Sequence, residues 1–371
     1  MKDPVKINAN QFMVLVTLFT IGTSILIVPS NLAYNAKQDA WIAAIIGTGI
    51  GLLVIWLFCI IAKWFPLLTY VQINEKILGK WVGKIVSLLF VFMSFLYCAS
   101  LLFQSGTFVN THVMPNTPMA VLNILMALII VMGVRLGLET LARSAEILIL
   151  VFFVLFIFLV VFVSPEIKFE NLQPVFEVKT KTIINSTIFL VAVSSLNSVV
   201  LLMILPAFIN KPKQATKSFL TGNLIGGIVL IIITFLCVSV IGAENTDRQL
   251  YPGYELAKRI NIADFIQRIE GIMATLWIIT LYFKTSLYFY ASVLGLSQIL
   301  NLKDYRPLTL PLGMIAVALS LMIYPNIVYQ QKWDATTGTS FTILIGLVFP
   351  LLLVIVYAIR KKQLKKDFDS T

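Results

Sequence analysis

The sequence predicts an all-α integral membrane protein of ten transmembrane helices, arranged as a five-plus-five inverted repeat with the first and sixth helices discontinuous. The 371 residues are 59% hydrophobic and only 12% charged, with a mean hydropathy of +0.93, a balance that no soluble domain carries. The long apolar runs have the length that a helix needs to cross a bilayer. Two of these runs are interrupted by polar residues at matching places, which is typical of transporter-like binding sites.

Ten apolar runs, numbered here as spans one to ten, are predicted to cross the membrane. They do not alternate polar and apolar residues as the strands of a membrane β-barrel do. The first run is too long for a cleaved signal peptide and no small-residue cleavage site follows it, so we expect it to remain as a span. The spans are Phe12–Ala33, Trp41–Phe65, Ile85–Phe108, Pro118–Gly137, Ile147–Ser164, Ile183–Ile209, Phe219–Ile241, Ile272–Leu300, Leu308–Tyr324 and Phe341–Ile359.

The distribution of basic residues predicts the orientation. With the amino terminus placed in the cytoplasm, 18 of the 28 Lys and Arg residues fall in inner segments, nine fall in outer segments, and Lys284 lies within span eight. This inward bias follows the positive-inside rule, so both termini are predicted to be cytoplasmic. The net charge of +11 therefore indicates a lipid bilayer and not a nucleic acid as partner. The basic cluster Arg360–Lys366 is interpreted as a flank on anionic lipid, and a docking site for a partner is the alternative.

The spans form two sets of five, residues 11–165 and 183–360, within a single transmembrane domain of residues 1–371. Because five is odd, the second set must run with inverted orientation. Three landmarks recur in register, and they are the pairs Ser24 and Ser198, Pro29 and Pro206, and Gly47-x-x-x-Gly51 and Gly222-x-x-x-Gly226. Small residues at this spacing let membrane helices approach closely.

Enzymatic chemistry is not predicted. The sequence contains no P-loop, HExxH, GxSxG or dinucleotide fingerprint, and no nucleophile–base pair, so we expect no catalytic residue and no cofactor. Cys59, Cys98 and Cys237 lie inside apolar runs at a spacing that fits no metal site, and His112 is the only histidine. No metal site is predicted.

The two interruptions supply the candidate ligand-binding residues. Gly22, Thr23 and Ser24 would unwind span one and leave free N–H groups for a substrate carboxylate, next to the positive end of a half-helix. The alternative for this segment is a kink in which the hydroxyls bond back to the preceding turn. The opposing wall, with carbonyls suited to an ammonium group, is predicted to comprise Ser194, Ser195, Leu196, Asn197 and Ser198 of span six. The alternative for the wall is helix packing through hydroxyl groups.

Spans three and eight supply the remaining candidates. Lys284 lies well inside span eight, where an ammonium group costs about 2.5–3.5 kcal/mol on insertion scales, so a functional role is expected. Its charge could replace a coupling cation between spans one and eight, it could titrate, or it could bond to carbonyls of the broken span one. Thr285 and Tyr288 follow it toward the same pocket. Tyr97 and Cys98 lie on one face of span three and are predicted to cap the pocket, with plain core packing as the alternative.

The outer connection between spans seven and eight contains a further expectation. After the Pro252-Gly253 turn, Leu256, Ile260 and Ile262 are predicted to form the apolar stripe of a short helix, either a lid over the outer mouth or an ordinary surface helix. Arg268 and Glu270 would latch such a lid or form a surface pair.

Two motifs carry a family resemblance. The run Gly22–Pro29 resembles the first-helix motif of amino acid–polyamine–organocation permeases, although Ser24 stands where that motif usually has a second glycine. The ten spans, the run Arg268–Glu270 and the run Phe283–Ala291 together look like the B subunit of nutrient germinant receptors of spore-forming bacteria. This resemblance covers almost the whole chain.

The resemblance implies a LeuT-like fold and a receptor subunit in the spore inner membrane, acting with A and C subunits. It implies that the chain binds a small nutrient, an amino acid for example, and helps to trigger germination. A proton-coupled amino acid permease working alone is the second hypothesis. A structural subunit with a vestigial pocket is the third.

Overall fold

The structure is a computed structural model that describes residues 6–210, 212–259 and 270–369. Within these ranges β structure is confined to one isolated bridge between Ile7 and Ile209. The α-helices are α1 Ala9–Ile21, α2 Ser24–Ala36, α3 Ala40–Trp64, α4 Tyr70–Leu78, α5 Lys80–His112, α6 Met119–Leu136, α7 Leu138–Val163, α8 Thr180–Leu190, α9 Pro212–Leu236, α10 Ala243–Arg248, α11 Pro252–Lys258, α12 Glu270–Ile299, α13 Arg306–Met322, α14 Ile327–Trp333, α15 Thr339–Ile343 and α16 Phe349–Asp369.

These helices supply all ten predicted spans. Within the described ranges eight stretches are long and apolar enough to cross a membrane, and the shorter apolar helices α1 and α13 add to them. Spans one to ten correspond, in order, to α1 with α2, α3, α5, α6, α7, α8 with the turns after it, α9, α12, α13, and α14 to α16. The prediction of an all-α membrane protein is confirmed. The boundaries of the two repeat halves stay a prediction.

Span one is broken at Gly22. α1 ends at Ile21 and α2 begins at Ser24, and between them Gly22 adopts φ +38° and ψ −129°. A residue with a Cβ rarely occupies this region, because its side chain meets the neighbouring backbone there. Glycine therefore lets the chain leave one helix and enter the next without strain.

Span six is broken over a longer stretch. α8 ends at Leu190, a wide π-helical turn covers Val191–Ser195, and a tighter 3₁₀ segment covers Leu196–Met203. The serine hydroxyls bond back to the helix, from Ser194 Oγ to the Leu190 carbonyl at 2.7 Å and from Ser198 Oγ to the Ser194 carbonyl at 3.1 Å. Such bonds compete with the regular ladder and favour irregular turns. The discontinuity predicted for both helices is confirmed.

The glycines of spans two and seven bring these broken helices together. A Cβ at Gly47 would meet Leu190, and one at Gly51 would meet Ser195, both on span six. A Cβ at Gly226 would lie 2.7 Å from the Thr20 side chain of α1. Span two therefore packs closely on span six and span seven on span one, so the two breaks lie next to each other in the bundle.

The segment before α1 pairs with the segment after span six at one end of the bundle. Ile7 N–H donates to the Phe208 carbonyl at 2.9 Å, and Asn210 N–H donates to the Ile7 carbonyl at 3.2 Å. Gln11 Nε2 on α1 donates to Glu146 on α7 at 3.1 Å. The chain just before span one is thereby bound to the chain just after span six.

Span ten begins earlier than predicted. The apolar run suggested a start at Phe341, whereas the helical span extends over Ile327–Lys361. Its first turns contain Lys332 and Asp334, which lower the local hydropathy, and the prediction was wrong because Asp334 faces an internal cavity and not lipid. Its helix contains two π-helical turns, Asp334–Gly338 and Leu344–Val348.

The predicted short helix between spans seven and eight is present as α11. Leu256 is fully buried on it, and α11 packs against α2 and α12. Ile260, Ile262 and Arg268 lie outside the described residues, so the full stripe and the latch stay predictions.

Candidate ligand site

A cavity of about 60 Å³ lies where the two breaks face each other. Spans one, three, six, eight and ten supply its walls. Five of the residues predicted from the sequence line it, namely Thr23, Tyr97, Asn197, Lys284 and Tyr288. The other lining residues are outside the predicted ligand-binding set, and they are Ile27, Ser100, Leu101, Gln104, Phe189, Ala192, Val193, Asp334, Gly338, Thr339 and Thr342.

The predicted serines of span six lie behind the cavity wall. Ser194 and Ser198 donate to carbonyls one turn earlier, as described above. Ser195 Oγ donates to Asn223 Oδ1 of α9 at 3.4 Å, and Asn223 Nδ2 donates to Thr20 of α1 at 3.2 Å. Leu196 packs against Gly346 of span ten. The structure thus places these four residues in contacts within and between helices, and their direct contact with a ligand stays a prediction.

The remaining predicted residues are buried next to the cavity without lining it. Gly22 lies against the aliphatic part of Lys284. Ser24 is fully buried, and its hydroxyl finds no hydrogen-bond partner within the described ranges. Cys98 is buried among hydrophobic residues, and Thr285 donates to the Leu281 carbonyl at 2.8 Å. A ligand role for these four residues also stays a prediction.

Lys284 connects span eight to both breaks. Its side chain is 2% exposed, and Nζ donates to the Val193 carbonyl in the π-helical turn of span six at 3.1 Å. Nζ also lies 5.4 Å from the centre of the Phe19 ring on α1, within reach of a cation–π interaction. One turn away on α12, Thr280 Oγ1 donates to the Gly22 carbonyl at 2.8 Å. The ammonium group is therefore held at the middle of the site.

The Val193 carbonyl is fully occupied. Besides Lys284, Asn197 Nδ2 donates to it at 3.2 Å. A carbonyl oxygen has two lone pairs, so this oxygen has no acceptor capacity left. The Leu196 N–H donates to the Val191 and Ala192 carbonyls. The free span-six carbonyls expected for a ligand ammonium group are therefore in use at these positions.

Asp334 is the charged residue that the sequence reasoning missed. It is half-buried, lines the cavity together with Lys284, and its carboxylate makes no hydrogen bond or ion pair within the described ranges. One signal could have found it. Asn326, after Pro325, is a good helix N-cap, and its side chain accepts a bond from Tyr329 N–H at 2.9 Å. A helix starting there carries Asp334 into the bundle.

Aromatic residues form one wall of the cavity and join span three to span ten. Tyr97 OH donates to the Gly338 carbonyl at 2.9 Å and shares a hydrogen bond with Thr342. The Tyr288 ring lies edge-on to Tyr97 at 5.7 Å and tilted to Phe19 at 5.2 Å. The Tyr288 hydroxyl finds no partner within the described part of the chain. The site is thus apolar on this side, with a few polar groups directed inward.

A second, smaller cavity of about 10 Å³ lies next to the first, beside α14 and the connection between α10 and α11. Both cavities share Ile27, Gln104, Phe189 and Asp334. Tyr251 and Gln330 line only the second. Asp334 therefore lies between the central cavity and the end of the bundle opposite the amino-terminal closure.

Comparison with known proteins identifies the family. A family model described as spore germination protein matches residues 6–330. The chain belongs to this family. Spore germination proteins KB, YndE and A2 of Bacillus subtilis (strain 168) are 27%, 23% and 26% identical to it. The matches cover 98%, 96% and 97% of this chain, respectively, and 98% of each relative.

Solved structures show the fold of this spore germination protein. The chain superimposes on Mhp1, a nucleobase-cation-symport-1 family transporter, with a TM-score of 0.71 and 11% identity, covering 97% of this chain and 80% of Mhp1. It superimposes on MhsT, solved in complex with L-phenylalanine, with a TM-score of 0.68 and 14% identity, covering 96% of this chain and 99% of MhsT. These neighbours are LeuT-fold transporters, so the predicted LeuT-like fold is confirmed.

The family and the fold together describe a multi-pass membrane protein. They favour a B subunit of a germinant receptor with a transporter-like fold over a permease working alone. The resemblance noted from the sequence motifs is confirmed by the family match.

Proposed function

We propose that the chain is the nutrient-binding subunit of a germinant receptor, and that a small nutrient bound in the central cavity helps to trigger germination. The cavity between two interrupted helices carries this proposal. At about 60 Å³ it holds about four to six groups the size of a water molecule. This volume suits a small amino acid better than a disaccharide or a nucleoside.

We extend the proposal to the rest of the receptor. We place the chain in the spore inner membrane with both termini in the cytoplasm, where it assembles with an A subunit and a lipoprotein C subunit. The inner end of the bundle, where Ile7 pairs with Ile209, is closed, while the smaller second cavity leads toward the outer end. A nutrient therefore enters from the outer side.

Lys284 takes the place of a coupling cation in this proposal. Its ammonium group lies between the broken spans and is bonded to the Val193 carbonyl. A fixed charge holds both breaks together without an exchangeable ion, which suits a sensor. We predict that Lys284→Ala reduces the nutrient response of spores more than Lys284→Arg, because arginine keeps the charge. Germination rate at equal protein level measures this, and equal, near-normal responses of both variants would remove the charge from the mechanism.

A cavity-filling substitution tests the proposed function directly. Ala192→Leu adds bulk to the cavity wall, whereas Ala318→Leu makes the same change on the exposed surface of the bundle. Spores with Ala192→Leu should germinate poorly in the nutrient while those with Ala318→Leu respond normally. A normal response of Ala192→Leu at equal protein level would instead indicate a structural subunit with a vestigial pocket.

Ligand binding to the purified chain provides the second test. A compound that binds the folded form must raise its apparent unfolding temperature. Amino acids, sugars and nucleosides should be compared at equal concentration, and at least one is expected to stabilise the chain. The proposal fails if none does. Substrate flux into liposomes that contain this chain alone would favour the permease.

A further inference from the structure

We propose that Asp334 binds the ammonium group of the ligand and that Lys284, with the amino end of α2, faces its carboxylate, so that the cavity selects small zwitterions of the size of glycine or alanine. The inference rests on the proposed function, because it names the ligand class of the same cavity. Its central observation is that two opposite charges line one cavity without forming a salt bridge with each other.

The two charges are placed where a buried charge is costly. Lys284 is 2% exposed, and Asp334 is half-buried within span ten. Ionisable residues inside membrane spans are rare, pair with one another or with backbone carbonyls, and mark functional sites such as substrate pathways. The Lys284 ammonium group has one carbonyl as its hydrogen-bond acceptor, and the Asp334 carboxylate has no hydrogen-bond or salt-bridge partner within the described ranges. A zwitterion of the right length compensates both at once.

A neutral acceptor accompanies Asp334 and strengthens the assignment of the ammonium end. Gln104 Oε1 is buried and lacks a hydrogen-bond partner within the described part of the chain, and Gln104 lines both cavities together with Asp334. Gln104 is 6% exposed. A buried acceptor without a donor costs about 1–3 kcal/mol, so this oxygen favours a guest that brings N–H donors. An ammonium group brings three N–H donors.

The end of the cavity next to α2 and Lys284 supplies hydrogen-bond donors. Thr23 lines it as the N-cap of α2, and no side chain caps that helix. The first N–H groups of a helix lack internal partners and carry the positive end of its dipole. Two of the three Lys284 Nζ donors remain after the bond to Val193. A carboxylate is the natural guest for this end, and the cavity therefore has a polarity.

Three isosteric probes test this polarity on the unmodified protein. L-Alanine carries both charges, L-lactate replaces the ammonium group by a hydroxyl, and L-alaninamide replaces the carboxylate by a neutral amide. Calorimetric titration of the purified full chain should show binding of L-alanine, and binding of each analogue weakened by about tenfold or more. L-Lactate or L-alaninamide binding as tightly as L-alanine would overturn the inference, as would the absence of L-alanine and glycine binding.

A matched pair of substitutions assigns the ammonium site. Asp334→Asn removes the cavity carboxylate, while Asp247→Asn removes the carboxylate of the surface pair with Lys37. Asp334→Asn should weaken L-alanine binding by about tenfold or more and leave the weak binding of L-lactate unchanged or stronger, because an anion repelled by Asp334 is no longer repelled. Asp247→Asn should bind L-alanine like the wild type. The unfolding temperature without ligand shows whether each variant is folded.

The outcomes separate this inference from the proposed function. If Asp334→Asn is folded and binds L-alanine like the wild type, Asp334 is not the ammonium site, and the inference fails while nutrient binding stands. If a sugar or a nucleoside stabilises the chain and L-alanine and glycine do not, the ligand class is wrong but a nutrient sensor remains. If no compound of the wider panel binds, the proposed function fails as well.

Discussion

At Gly22 the backbone turns into a region that only glycine adopts easily, and the Lys284 side chain lies directly against its α-carbon. The break in span one thus imposes two requirements on this position, a positive φ and the absence of a side chain. The positive φ lets span one change direction, and the missing side chain lets Lys284 reach the Val193 carbonyl. Glycine at position 22 therefore allows the turn in the backbone of span one and also leaves room for the buried ammonium group of span eight.

The two constraints at Gly22 can be separated by a matched substitution. Gly79 has φ +88°, and a Cβ added there would have no heavy atom within 4 Å, so Gly79→Ala measures backbone strain alone. We expect the Gly79→Ala strain to lower the free energy of unfolding by about 1–3 kcal/mol. Gly22→Ala should lower the free energy of unfolding by about 1–3 kcal/mol more than Gly79→Ala, because its methyl group overlaps Lys284.

Thermal unfolding of both variants in the same detergent checks this prediction. The apparent unfolding temperature should fall further for Gly22→Ala than for Gly79→Ala. Equal decreases would mean that Lys284 moves aside at no cost and that the contact does not hold it in place.

At the scale of the elements, the unbroken spans two and seven pack closely against the broken spans through glycine residues. Gly51 lies against Ser195 of span six, and Gly226 lies against Thr20 of span one. Between them Asn223 bonds to both Ser195 and Thr20, so one amide bridges the two broken helices. The broken segments hold their geometry because the unbroken helices approach them closely.

Glycine substitutions test this support. Gly226→Ala places a methyl group 2.7 Å from Thr20 Cβ and should destabilise the protein by about 1–3 kcal/mol. Gly49, exposed on α3 with open space around it, is the control, and Gly49→Ala should be neutral or stabilise by about 0.5–1 kcal/mol. Unfolding temperatures in detergent give the comparison. A Gly226→Ala variant as stable as the Gly49→Ala variant would contradict the close packing of spans one and seven.

At the scale of the whole molecule, the bundle is closed at one end and has its polar cavities toward the other. The pairing of Ile7 with Ile209 lies at the closed end, and the second cavity lies beside α14 and Tyr251. The proposed orientation puts the closed end in the cytoplasm. A nutrient arriving from outside the inner membrane then meets the end with the second cavity first.

Cysteine labelling tests this orientation. The native Cys59, Cys98 and Cys237 are buried, so they should not react with a membrane-impermeant maleimide. Asn116→Cys, in the exposed turn between α5 and α6, should react in intact cells, whereas Lys303→Cys, between α12 and α13, should react only after permeabilisation. The reverse pattern would invert the topology and place the amino terminus outside.

Much of the fold is predictable because its determinants are local. Span length, apolar content and the inward bias of basic residues can be counted along the chain. Gly22 and the serine cluster around Ser195 mark the breaks, because glycine and hydroxyl groups weaken a helix wherever they occur. The start of span ten could not be located from hydropathy, because a polar helical turn that faces a cavity has the same composition as a loop.

The site itself depends on how each helix is rotated, and packing against neighbours decides that. Ser194 and Ser198 have the composition of a binding wall, but their hydroxyls turn back to their own helix, while Lys284 takes the carbonyl expected to serve a ligand. Asp334, far away in the sequence, is brought opposite Lys284 only by the folded bundle. Composition and periodicity thus account for the membrane class and the broken helices. The three-dimensional arrangement decides which polar groups meet in the cavity, because it alone sets which face of each helix turns inward.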